Sequence, residues 1–67
     1  MAKVVKVIEI LSQSDKSWED AAQGAVTEAS KSIKNIKSIY IQDKSAKVVN
    51  NKITKYRITA KISFVIE

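Results

Sequence analysis

The sequence predicts a small α+β domain of the order strand–helix–strand–strand. Three observations predict it. A β-branched run opens the chain, an apolar stripe at helical spacing follows, and two alternating segments flank a pair of asparagines. At 67 residues and 7.5 kDa there is room for one domain, spanning 1–67, and a small core.

Residues Lys3 to Leu11 read as the first strand. Val4, Val5, Val7, Ile8, Ile10 and Leu11 are apolar and mostly β-branched, with Lys6 and Glu9 interspersed. The opening Met1-Ala2-Lys3 leads directly into this pattern and does not read as a signal peptide. A polar connection, Ser12 to Lys16, comes next. Ser17-Trp18-Glu19-Asp20 then has the spacing of a helix cap: a hydroxyl for a free N–H, and carboxylates at the positive helix end.

From Trp18 the apolar residues fall at 18, 21, 22, 25, 26, 29, 33 and 36, which predicts a helix of about five turns, ~30 Å long. Ala21, Ala22, Ala25 and Ala29 keep its buried stripe flat. Gly24 lies off the stripe, and the sequence offers no reason for it. Lys31, Lys34 and Lys37 are expected near the helix C-terminus, where cations suit the dipole.

The remainder reads as a long hairpin. Asn50-Asn51 suits a two-residue turn, because Asn tolerates positive φ. That turn pairs Ile39 with Ile62 and Ile41 with Ala60 on the apolar side. Ser38 then faces Ser63, Tyr40 faces Lys61 and Lys44 faces Arg57 on the polar side. On the last strand Tyr56, Ile58, Ala60, Ile62, Phe64 and Ile66 point one way. Lys55, Arg57, Thr59, Lys61, Ser63 and Glu67 point the other, with Val65 the exception. This last strand, spanning ~46 Å, outruns the helix, and Ile62, Phe64 and Ile66 are expected on the overhang. Sister copies of the chain are the expected cover.

Composition narrows the function classes. The absence of Cys and His removes disulfides, zinc or thiolate sites and the usual nucleophile–base pairs. No carboxylate pair has a general acid–base arrangement and no Gly-rich phosphate loop exists, so no enzyme is expected. No apolar run reaches the ~20 residues of a membrane helix, and the lack of Cys fits a cytoplasmic setting. The net charge of +5 comes without a basic tail or a run of like charges. It reads first as a lysine-rich solubilising surface and second as a nucleic-acid-binding face. For the latter only Tyr40 stands among the basic residues as a stacking ring. Trp18 lies on the helical stripe and reads as core or interface.

The order of these segments resembles the dodecin family. Val7-Ile8-Glu9-Ile10, Ser17-Trp18-Glu19-Asp20-Ala21-Ala22 and the closing segment from Tyr56 through Phe64 to Glu67 carry the resemblance, which covers the chain from Lys3 to Glu67. It implies a three-stranded antiparallel sheet wrapped around one helix, assembled as a hollow homo-dodecamer. It also implies a flavin site made by a stacking Trp on the second strand and a Gln on the third. Those positions fall on Ser38 and Arg57. Serine offers no ring and arginine no acceptor, so the sequence resembles a branch without tight binding of FMN, riboflavin or FAD.

The expectation is a shell that binds or sequesters a small ligand. Tyr40, Lys44, Arg57 and Lys61 on one face would suit an anion, and some dodecins bind coenzyme A. The alternatives are flavin binding by an altered site and a calcium-binding or structural shell. For calcium, Gln42, Asp43 and the loop from Ser12 to Asp15 are the local oxygen donors.

Overall fold

The computed structural model describes residues 3–66. It contains β1 (Val4–Ser14), α1 (Trp18–Ser30), β2 (Ile36–Val49) and β3 (Lys52–Ile66). The three strands form one antiparallel sheet in the order β1-β3-β2, so the last strand lies in the middle. Glu67, expected on the polar side, lies outside the described residues, as do Met1 and Ala2. No helix among the described residues is long and apolar enough to cross a membrane.

The first strand runs three residues beyond the expected end at Leu11. Ser12, Gln13 and Ser14 pair with Ile58, Arg57 and Tyr56. Their polarity hid them, yet Ser12 and Ser14 have partners at the helix. Ser12 Oγ donates to the Ala21 carbonyl at 2.8 Å, and Ser14 Oγ donates to Asp20 Oδ2 at 2.6 Å. The helix then starts where its cap predicts. Ser17 is extended (φ −168°) and its Oγ accepts from the Asp20 N–H at 2.9 Å.

The helix is 13 residues long, ~20 Å rather than ~30 Å. Ser30 Oγ donates to the Thr27 carbonyl at 2.7 Å, and the chain tightens through Lys31→Glu28 and Ser32→Ala29 backbone bonds. Asn35 then turns it at φ 63°. Ile36, expected on the helical stripe, instead opens β2 opposite Phe64. Spacing of three residues fits either a helix or a turn into a strand; the demand of β3 for a partner decides. Consequently Lys34 and Lys37 lie past the helix, and its last turn carries no cation.

The core is small. Ala21, Ala25, Ile58, Ala60 and Ile62 are buried, with Ile10, Trp18, Ala22, Ile39 and Ile41 packed around them. The alanines allow α1 to lie close against β3. Trp18 anchors the helix start: its ring meets Tyr56 edge-on at 4.9 Å, and its Nε1 donates to the Ser45 carbonyl at 3.0 Å.

The molecule is 54 Å long, close to the ~50 Å of the 15-residue β3. Of the overhang expected at Ile62, Phe64 and Ile66, Ile66 is exposed, at 49%, and a further uncovered stretch lies at the other end of the sheet. Ile62 is fully buried and Phe64 half-buried. The helix starts beside Tyr56, so the hairpin tip beyond it is bare. Val48 and Ile53 there are 60% and 50% exposed. The tip turns through Asn50 (φ 53°) and Asn51 (φ 64°), as the paired asparagines predict.

Candidate functional site

The sheet face turned away from α1 is the candidate ligand face. Pairing sets its rows: Val7–Ser63–Ser38, Glu9–Lys61–Tyr40, Leu11–Thr59–Asp43 and Gln13–Arg57–Ser45. Four of the expected register pairs stand, Ser38 with Ser63, Ile39 with Ile62, Tyr40 with Lys61 and Ile41 with Ala60.

Lys44 is the exception. A bulge between Ile41 and Asp43 inserts Gln42, so that Lys44 pairs with Ile58 and Ser45 takes its place opposite Arg57. One inserted residue moves every following side chain to the opposite face. Lys44 therefore lies on the helix side, its ammonium 5.8 Å from the centre of the Trp18 ring. It does not join the other candidates. A second irregularity between Lys47 and Val48 skips Thr54 on β3 and restores the original register, pairing Val48 with Ile53. The turn and the apolar pairs near Ile39 both fit one register, so neither bulge is visible in the alternation.

The remaining candidates share the outer face but not one site. Ser38 and Ser63 share a hydrogen bond between their hydroxyls. Arg57 lies six positions before Ser63 on β3, ~20 Å away along the strand. Tyr40 is 66% exposed, in one row with Lys61 and Glu9. A single ligand touching both Ser38 and Arg57 would have to be long, or take them from different copies.

At the Arg57 end the face forms a groove of about 390 Å³, walled by Leu11, Gln13, Ser45, Arg57 and Thr59. Arg57 Nε donates to Gln13 Oε1 at 3.2 Å, which steadies the guanidinium while leaving its other donors available. Leu11 is 80% exposed and offers an apolar wall. Leu11 and Ser45 were not among the sequence candidates, and Gln13 was one only within the Ser12 to Asp15 segment considered for calcium. Their signal was hidden by the polar end of β1 and by the bulge in β2.

The residues present do not fit flavin in the manner the resemblance implies: at the position it assigns to a stacking ring, Ser38 and Ser63 present two hydroxyls. Calcium fits no better within one chain. Among the described residues no three acidic side chains gather, and Glu9 and Asp43 lie on opposite edge strands of the outer face.

Comparisons with known proteins agree with this architecture. The dodecin family model matches residues 4–67. The structure of the calcium-chelating immunodominant antigen calcium dodecin from Mycobacterium tuberculosis is 37% identical. It covers 96% of this chain and 91% of its own, with a TM-score of 0.82. An arginine-to-alanine variant of Thermus thermophilus dodecin is 21% identical, covers 98% of each chain and has a TM-score of 0.94. Dodecin from Streptomyces coelicolor, at 18% identity, covers 97% of this chain and 93% of its own, with a TM-score of 0.92. No curated protein matches. With the family model matching almost from end to end and the same fold on the page, the chain belongs to the dodecin family.

Proposed function

We propose that this protein is a homo-dodecameric shell that binds or sequesters a small anionic ligand on the outer sheet face, without tight flavin binding and without catalysis. Membership of the dodecin family supports the assembly. So does the apolar surface the fold leaves bare, Val5, Val7 and Leu11 on one side of the sheet and Val48 and Ile53 on the other. The observation that carries the ligand reading is the chemistry of the outer face. Arg57, held by Gln13 beside an apolar-walled groove, supplies a fixed cation. At the position to which the resemblance assigns the flavin-stacking ring, the chain carries Ser38, bonded to Ser63. Tyr40 and Lys61 extend the same face as further contacts. The cytoplasm is the expected setting.

Native mass spectrometry combined with riboflavin fluorescence quenching tests both halves. A mass twelve times that of the chain, with quenching weak at micromolar riboflavin, is the expected result. Strong quenching would replace the proposal by an altered flavin site. A monomer with steeply salt-dependent DNA affinity would replace it by a nucleic-acid module.

One comparison favours a second reading. The 37% identical relative is described as calcium chelating, and Glu9 and Asp43 on the outer face would be the donors to bring together from several copies. Equilibrium dialysis against calcium at constant ionic strength decides it: binding lost in Asp43→Asn would favour the metal reading over the anion.

A further inference from the structure

Nothing within the chain requires glycine at position 24. Its backbone is not left-handed, and a methyl group there would meet no other atom within 4 Å. Glycine in a helix interior weakens the helix, so an intrachain account gives the wrong sign. What Gly24 does border is a second groove, of about 370 Å³, between α1 and β1. Ile8, Ile10, Ala25, Ala29 and Ile33 line it. Asp20, Gly24 and Glu28 follow one another at four-residue spacing on α1. Two carboxylates therefore stand one turn to either side of the gap.

The hairpin tip has the complementary character. Val48 and Ile53 are exposed beyond the helix start. From Lys44 to Ile66 the chain carries Lys44, Lys47, Lys52, Lys55, Arg57 and Lys61 and no acid at all. Lys47 and Lys55 are paired directly across the two strands. Like charges so placed repel unless something negative meets them. Between Asp15 and Ser30, by contrast, there are four acids and one lysine. The charge is thus divided between a basic tip and an acidic helix.

We propose that the hairpin tip of a second copy seats in the Gly24 groove. Val48 and Ile53 meet its apolar lining, while the tip lysines reach round the ribbon edges to Asp20 and Glu28. The missing side chain at Gly24 lets the incoming backbone approach closely. Asp20 and Glu28 already have partners, Ser14 and Lys31, but these contacts are solvent-exposed and can be exchanged. Tip and groove are different surfaces of the same chain, so the contact is heterologous and, where its rotation closes, builds a ring instead of ending at a dimer. This inference rests on the shell reading and names one of its interfaces.

Three variants test it by native mass and by dilution in the analytical ultracentrifuge, with circular dichroism as the check on folding. They are Gly24→Leu, Glu28→Lys and the tip reversal Lys47→Glu with Lys55→Glu. Each is expected to yield smaller species or raise the dissociation concentration roughly tenfold or more. Combining Glu28→Lys with the tip reversal should recover much of the loss. If folded Gly24→Leu keeps the wild-type mass and dilution profile, the inference is overturned. Should that variant not fold, the charge reversals decide: losses that simply add in the combined variant overturn it, and recovery supports it. A wild-type chain that is itself monomeric would instead sink the shell reading.

Discussion

Replacing Ser38 by Trp and Arg57 by Gln should raise the affinity for riboflavin, and the structure allows the size of the effect to be worked out. Ser38 is exposed on an edge strand, so an indole has room and a favourable strand setting. Covering ~100 Å² of ring, about half of what an aromatic side chain buries when enclosed, contributes ~2.5 kcal/mol. Stacking geometry adds ~1 kcal/mol. Losing the Ser38–Ser63 hydrogen bond lowers fold stability by ~1 kcal/mol in free and bound protein alike, with water able to solvate the half-buried Ser63, and so cancels in Kd. The net, ~3.5 kcal/mol, is about 300-fold in Kd for the first substitution.

Arg57→Gln gives up one exposed bond to Gln13 and supplies an acceptor. Within one chain the two positions are ~20 Å apart, so their effects should add. A flavin taking them from adjacent copies would instead make them strongly non-additive. Fluorescence-quenching titrations of the wild type, both single variants and the double variant, each with its native mass, read this out. An intact particle whose affinity is unchanged by the double substitution would refute the placement of the site.

Ile58 is 2% exposed at the centre of a very small core. Ile58→Ala should cost ~2–5 kcal/mol, against a total of about 3–10 kcal/mol for a domain of this size. Chemical denaturation at low protein concentration should therefore show little folded protein, and a loss below ~1 kcal/mol would contradict the packing. At the turn, Asn51 is held at φ 64°. Asn51→Gly should hold or raise the melting temperature, whereas Asn51→Val should lower stability by ~1–2 kcal/mol; equal melting of the two would speak against the left-handed turn. Ser17→Ala removes the acceptor for the Asp20 N–H and should cost ~1 kcal/mol in thermal unfolding, with the helix start fraying in hydrogen exchange.

By itself the amino-acid order determined what short-range physics controls. The Ser17 cap, the apolar stripe from Trp18 to Ala29, the asparagine turn and the pairing of Ile39 with Ile62 each depend on neighbours or on a single alternation. Of the candidate site, the amino-acid order supplies only the residue types, a serine without a ring at 38 and an arginine without a side-chain acceptor at 57. What only the tertiary structure decided were choices between locally equivalent options. Ile36 could continue a helix or open a strand, and the need of Phe64 for a partner made it a strand residue. Ser12 to Ser14 could be loop or sheet, and hydrogen bonds to the helix start made them sheet. The bulge at Gln42 turned Lys44 from the ligand face to the Trp18 ring, because one residue of offset inverts the facing of a strand while leaving its composition unchanged.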